Sequence, residues 1–267
     1  MVEEKIYLRD GHIHSPYCPH GTKDSLDAYV EKALEKGLKE ISFTEHMPFG
    51  SYFMPNKDFL DECALSKDDV QKYFDDVNRV KRKYVDKIKI NLGFEVDFID
   101  GLEKETKELL NTYGPSLEDS LLSVHFININ GEYMAIDGLD GLERAIELLG
   151  GLEKVYDKYY KTLLKAVKSD LGNYKPKRIG HPNLIRRFNE LYPIEYKNND
   201  LLEEIAREIK NNDYEVDINT SGLRKEHCNE IYVSGYFKEL VEKYKIRTVF
   251  GSDSHEAKDV GSNFKKF

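Results

Sequence analysis

Seven of the chain's eight histidines fall in short motifs whose residue types suit metal ligation. His12 and His14 stand two apart in Asp10-Gly11-His12-Ile13-His14-Ser15. On an extended segment, residues two apart point the same way, so both imidazoles can grip one ion. His20 follows in the next stretch. His46 ends Thr44-Glu45-His46, His125 ends Ser123-Val124-His125, and His181 sits in Gly180-His181-Pro182. Asp253 and His255 are again two apart, in Ser252-Asp253-Ser254-His255, and Glu95 closes Gly93-Phe94-Glu95. Only His227 falls outside this pattern.

Nine donors exceed what one ion takes. A zinc site uses about four ligands, and a catalytic one leaves a position for water. The count therefore calls for two or three ions. Imidazole-rich ligation with few carboxylates favours zinc, iron or manganese over magnesium or calcium. A carboxylate such as Glu95 can bridge two of them. Closely spaced ions acidify a bridging water at neutral pH and clamp phosphoryl oxygens for in-line attack, which points to phosphoryl hydrolysis. A single histidine at a strand end is more often an ordinary polar residue than a ligand. The joint pattern decides against that reading, because unrelated histidines would scatter over helices and loops.

These donors need a scaffold that brings them together. Short apolar runs at 6–12, 40–44, 88–96, 120–126, 177–181, 214–219 and 247–252 read as strands. Between them, apolar residues recur at helical spacing over 25–36, 67–83, 101–113, 139–149, 152–169, 201–211 and 234–244. Gly37 stops the first of these helices, and 168–177, polar with Gly172 and Pro176, reads as a loop. Strand alternating with helix implies a parallel sheet with crossover helices. Seven strands suggest an α/β barrel. A doubly wound open sheet is the alternative, but no glycine-rich phosphate loop follows the first strand. In a parallel barrel all strand C-termini share one face, where active sites sit. The nine donors lie at or just past strand ends, so they converge on that mouth.

The chain has 267 residues, 40% hydrophobic, enough for one large domain with a sizeable core. Net charge is −9, which disfavours a nucleic-acid partner. Cys18, Cys63 and Cys228 are too few and too scattered for a disulfide framework and read as free thiols. The start, Met1-Val2-Glu3-Glu4-Lys5, lacks a basic region followed by an apolar run, and no stretch approaches transmembrane length. A cytoplasmic enzyme is expected. Homo-oligomerisation stays open.

Taken together, His12-Ile13-His14, Thr44-Glu45-His46, Glu95, Ser123-Val124-His125, Gly180-His181-Pro182 and Ser252-Asp253-Ser254-His255 resemble the polymerase-and-histidinol-phosphatase (PHP) family over most of the chain. The resemblance implies one domain over 1–267, a distorted (β/α)7 barrel holding three divalent ions. It implies His12, His14, Glu95 and Asp253 at the first ion. Glu95, His125 and His181 would hold the second, and His20, His46 and His255 the third. Glu95, Asp253 and His255 would take part in the catalytic step, with Asp253 or a nearby histidine passing a proton to the leaving alcohol. The size, Gly180-His-Pro-Asn-Leu-Ile-Arg-Arg-Phe188 and Asp217-Ile-Asn-Thr-Ser-Gly-Leu-Arg-Lys225 resemble the family's stand-alone histidinol-phosphatases. The implied substrate is then L-histidinol phosphate, in histidine biosynthesis. Arg186 or Arg187, with Arg224, would clamp the phosphate through forked guanidinium donors. Three other readings are a phosphatase for another small phosphomonoester, a phosphodiesterase of the nuclease type, which needs a basic groove, and a non-catalytic metal-binding module, which should have lost ligands.

Other residues carry weaker signals. The aromatic stretch Met47-Pro-Phe-Gly-Ser-Tyr-Phe-Met-Pro55 is either a lid or a loop packing its own rings. Cys18, between two proposed ligands, reads as a neighbour of the metal site and not a ligand. Asn219 would bind substrate or support a ligand. His227 reads as exposed, and Tyr156, Tyr159 and Tyr160 as a core-facing helix stripe.

Overall fold

A computed structural model describes residues 8–51, 53 and 63–266. Seven parallel strands form one sheet: β1 (Arg9–Ile13), β2 (Glu40–His46), β3 (Lys89–Asp97), β4 (Leu121–Ser123), β7 (Arg178–Ile179), β8 (Glu215–Asn219) and β9 (Arg247–Gly251), paired in that order. The ring closes at the strands' C-terminal end. Asp253 N donates to His12 O at 2.7 Å, His14 N donates to Ser254 O at 2.9 Å, and Ile13 bridges Ser254 in parallel. This is the distorted (β/α)7 barrel expected. Closure at the mouth locks the two ends of the ligand series, His12-His14 and Asp253-His255, against each other. At the opposite end Arg178, 1% exposed, reaches across the barrel to Gly11 O and Asp119 Oδ2, both at 2.7 Å.

The helices that cover the sheet are α1 (Leu26–Glu35), α2 (Val70–Lys83), α3 (Glu103–Tyr113), α4 (Leu139–Leu149), α5 (Leu152–Lys168), α6 (Asn199–Asn211) and α7 (Gly235–Lys243). Their starts follow local chemistry. Ser25 caps α1 by accepting from Ala28 N, and Asn198 caps α6 by accepting from Leu201 N. Each buries an apolar stripe, such as Tyr73, Val77 and Val80 of α2. Among the described residues, no helix is long and apolar enough to cross a membrane. Ile6 and Tyr7, in the expected first strand, lie outside the described residues.

One element departs from expectation. The run read as a strand at 120–126 ends at Ser123. The chain then makes an antiparallel hairpin, β5 (Phe126–Ile129) with β6 (Glu132–Ala135). Its turn is Asn130-Gly131, with φ of 56° and 93°. Asn-Gly is the pair such a two-residue turn favours, because both positions need positive φ.

Candidate metal centre

The structure brings all nine proposed donors to one end of the barrel. His12 is on β1 and His14 just past it. His46 ends β2, and Glu95 is on β3. His125 follows β4, His181 follows β7, and Asp253 and His255 follow β9. His12, His14, Glu95 and His181 are at most 1% exposed, and His46 and His125 are 8% exposed. His20 lies on the outer side, its ring centroid 5.4 Å from His46 and 5.0 Å from His255. Two donors sit on unusual backbone: His181 has φ of 22° and Asp253 of 50°. Non-glycine residues hold such angles only where the surroundings impose them, as at functional sites. Gly180 permits the first: a Cβ there would lie 2.1 Å from Ser123 Oγ.

The spacing of donor atoms tests whether these residues fit ions. Bonds of about 2.1 Å in a tetrahedral site place ligand atoms roughly 3.4 Å apart. Here His12 Nε2 lies 3.3 Å from Glu95 Oε2, and His14 Nε2 lies 3.4 Å from it. His46 Nδ1 is 3.3 Å from the same oxygen, and His14 Nε2 is 3.2 Å from Asp253 Oδ1. His125 Nε2 is 3.6 Å from Glu95 Oε1. His12 Nε2, His14 Nε2 and His46 Nδ1 are buried and make no hydrogen bond. These atoms face common points instead of one another, and the donor set fits divalent ions. Glu95 touches the series on both oxygens, as a bridging carboxylate would. One contact differs: His181 Nε2 is 2.7 Å from Glu95 Oε1, a hydrogen-bond distance.

The other ring nitrogens are anchored by carboxylates that sequence reasoning missed. His12 Nδ1 is 2.8 Å from Asp217, His125 Nδ1 is 2.7 Å from Asp97, and His14 Nδ1 is 3.3 Å from Glu45. A carboxylate on one nitrogen fixes the tautomer that offers the other to a metal. Asn219 donates to Asp217 at 3.1 Å and to Asp253 at 3.3 Å, and Ser221 Oγ donates to Asp253 at 3.0 Å. Asn219 thus supports a donor, one of its two expected uses. Buried Asp10 accepts from Ser252 N and Gly261 N, tying β1 to the segment that carries Asp253. Burial lifts its carboxyl to about 6 against those hydrogen bonds.

In the protein alone, electrostatics divide the rings into charged and neutral ones. Burial opposes charge on His12, but Glu95, Asp253 and Asp217 outweigh it and lift the ring to about 10. Burial is likewise outweighed at His125, by Asp97 and Glu95, again to about 10. Against burial, His12 and His125 hold Glu95 well below the usual carboxylate range. Burial, then the charge on His14, pushes His46 and His255 well below the ordinary histidine value, which leaves them neutral with lone pairs to offer. The buried Cys18 thiol also joins the group: its ligand atom and those of His14, His46 and His255 lie within 4.8 Å of one another. That places it nearer to ligation than its sequence reading suggested.

A family model described as the PHP domain matches residues 10–221. The chain belongs to the PHP family. Its barrel runs past that match, since β9 pairs with β8 beyond it. Among relatives, the histidinol-phosphatase of Bacillus subtilis (strain 168) is 38% identical over 97% of both chains. The histidinol-phosphatase of Lactococcus lactis subsp. lactis (strain IL1403) is 29% identical, over 93% of this chain and 84% of its own. Among solved structures, a candidate histidinol phosphatase of Listeria monocytogenes superposes with a TM-score of 0.91 at 34% identity, over 97% of this chain and 99% of its own. The histidinol phosphate phosphatase of Lactococcus lactis, solved with zinc, L-histidinol and phosphate, shares the fold. Its TM-score is 0.70 at 23% identity, over 94% and 87% of the two chains.

The PHP chain keeps only some of its proposed arginines at this centre. Arg224 donates to Ser252 O at 2.7 Å, beside Asp253, and pairs through Nε with Asp259 at 3.2 Å; its buried Nη1 has no partner. Arg187 lies over the Phe188 ring and donates to Glu226 O at 2.5 Å, without a carboxylate partner among the described residues. Its charge is felt by Tyr232, whose ring is 6.3 Å from His181. Arg186 instead pairs with Glu230 and lines a different cavity. Over the centre opens a cavity of about 280 Å³, lined by His20, His46, His125, Asp97, Asp137 and Phe126, among others. The hairpin that sequence reasoning missed forms its wall. Phe49 and Phe53 pack on Phe126 and on each other at 4.8–5.8 Å. Tyr52, Met54 and Pro55 of that stretch lie outside the described residues. His227 is half-buried beside Glu226, where full exposure was expected, and Tyr156, Tyr159 and Tyr160 are buried, as expected.

Proposed function

We propose that this PHP protein hydrolyses L-histidinol phosphate to L-histidinol and phosphate at a centre of three divalent ions (zinc, iron or manganese), in the cytoplasm. The observation that carries the reading is the convergence of nine donors at ligand–ligand spacing, in a chain 38% identical to the B. subtilis histidinol-phosphatase over nearly all of both. His12, His14, Glu95 and Asp253 would hold the first ion; Glu95, His125 and His181 the second; His20, His46 and His255 the third. Bound there, the ions supply Lewis acidity toward phosphoryl oxygens and make water acidic enough to attack at neutral pH.

The chain's own residues do the rest. Asp217, Asp97 and Glu45 keep the imidazoles in the ligating tautomer. Arg224 and Arg187 hold the phosphate; Arg186, which lines the other cavity, leaves the clamp. Asp253, with Oδ2 held by Asn219 and Ser221, or a histidine nearby, takes the proton given up by the attacking water and passes it to the leaving alcohol oxygen. Phe126 offers a face to the substrate's imidazole. Asp137, on the cavity wall and without an ion-pair partner among the described residues, meets its ammonium group.

The test is phosphate release from L-histidinol phosphate beside cleavage of a chromogenic phosphodiester by the same metal-assayed sample. Monoester turnover well above diester turnover is expected. Robust diester cleavage without monoester activity would overturn the reading.

A further inference from the structure

A second and larger cavity, of about 590 Å³, lies on the barrel's flank between α5, the start of α6 and the start of α7. It shares no lining residue with the cavity over the histidines. Its wall includes Tyr156, Tyr160, Asn183, Arg186, Ser234 and the first turn of α7. Several of these groups are built for a partner they do not find within the chain. Tyr156 is 1% exposed and Tyr160 2%, and neither hydroxyl makes a hydrogen bond. Neither hydroxyl is among the sealed, unsatisfied atoms, whereas that of Tyr159 beside them is. Their hydroxyls therefore open onto the cavity.

The start of α7 points the same way. Its N-cap, Ser234, makes no capping hydrogen bond. The Ser234 hydroxyl is drawn off to Asn183 and Glu230. The amides of Gly235, Tyr236 and Phe237 are left at the cavity wall, at the positive end of a helix. Arg186 gives Nε and Nη2 to Glu230 and keeps Nη1, and its charge acts on both tyrosines. Hydroxyl donors, a guanidinium and uncapped amides together describe an oxyanion site. The tyrosine rings, with Tyr196 at 5.1–5.6 Å from the other two, form an aromatic wall beside it. The volume suits a ligand of drug or metabolite size.

We propose that this flank cavity binds a small molecule carrying a carboxylate or phosphate group and a flat ring. The oxyanion sits on Arg186 Nη1, the hydroxyls of Tyr156 and Tyr160 and the first-turn amides of α7. The ring lies against the tyrosine wall. Bound there, the ligand leaves the histidine cavity free. It is positioned to act on it, because Asn183 is two residues from His181 and Leu184 N bonds His181 O at 2.9 Å.

The experiment measures equilibrium binding of two probes, inorganic phosphate and phenylacetate, to the metal-loaded protein and to the Tyr156→Phe/Tyr160→Phe variant. The variant keeps both rings and loses only the hydroxyls. The expected result is a binding class in the wild type that weakens about tenfold or more per lost hydrogen bond to a charged group, with turnover at the metal centre unchanged. Phosphate alone showing this class assigns a phosphate ligand, and phenylacetate alone assigns a carboxylate. A folded variant that binds both probes as the wild type does, or a wild type that binds neither outside the metal centre, overturns the proposal.

Discussion

Asp217→Asn isolates what a carboxylate behind a ligand does. Asp217 is 0% exposed, and one oxygen, Oδ2, accepts from both His12 Nδ1, at 2.8 Å, and Asn219 Nδ2, at 3.1 Å. Asn219 cannot turn over to help. Its own oxygen accepts from Ser221 N and Oγ at 3.0 and 2.7 Å. The new amide must therefore put its oxygen where Oδ2 stands and its NH2 where Oδ1 is buried without a partner. The charge-assisted bond to His12 becomes a neutral one of about half the strength. A buried donor is left unpaired, at a cost of about 1–3 kcal/mol. Removing such an outer carboxylate lowers metal affinity or activity by about 10–100-fold, or roughly 1.4–2.7 kcal/mol. Metal affinity, read by competition with a chelating indicator, and kcat/KM for L-histidinol phosphate should fall together in that range. If both stay within twofold of wild type, the claim that Asp217 holds His12 in its ligating tautomer is refuted.

Three further outcomes follow from the same structure. His46→Ala or His125→Ala should lower bound metal, measured by elemental analysis, and turnover together; full activity in either would refute its assignment as a ligand. Gly180→Ala drives a Cβ to 2.1 Å from Ser123 Oγ, so urea unfolding should show a loss of about 1–3 kcal/mol, with turnover reduced because His181 shifts. Burial, then the charge of Lys177, pushes Lys175 from 10.5 down to about 8, while its ammonium donates to the carbonyls of Ala166, Val167 and Ser169 at 2.8 Å. The fold therefore binds that proton less firmly than the unfolded chain, so stability gained from Lys175 rises with pH between about 8 and 10.5. Lys175→Met should lack that rise when unfolding is compared at the two ends of the window, and parallel curves would count against it.

The barrel and the donor set were legible because both rest on strong, local signals. Strand ends carrying histidine or carboxylate stand out against polar loops, and a parallel barrel sends all such ends to one mouth. The supporting carboxylates were not, although weak traces exist. Asp97 is two residues past Glu95 on one strand and so shares its face, and Glu45 directly precedes His46. Nothing in those spacings distinguishes a buried anchor from an ordinary acid. The β5–β6 hairpin was announced by Asn130-Gly131, yet the apolar run through Phe126 masked where β4 stops. Arg186 and Arg187 are adjacent, and the tight turn at Leu184–Arg186 sends one to Glu230 and the other over Phe188. Sequence has no means to choose between them, because the direction of a side chain leaving such a turn is set by what packs on it.

The central claim is that these nine donors hold three ions that together hydrolyse L-histidinol phosphate. Its most direct test is to titrate zinc or manganese into metal-free protein while following bound metal per chain and phosphate release from L-histidinol phosphate. The account predicts turnover that climbs with loading and levels off at three ions per chain. Full turnover at one ion per chain, or no phosphate release from the fully loaded protein, would contradict it.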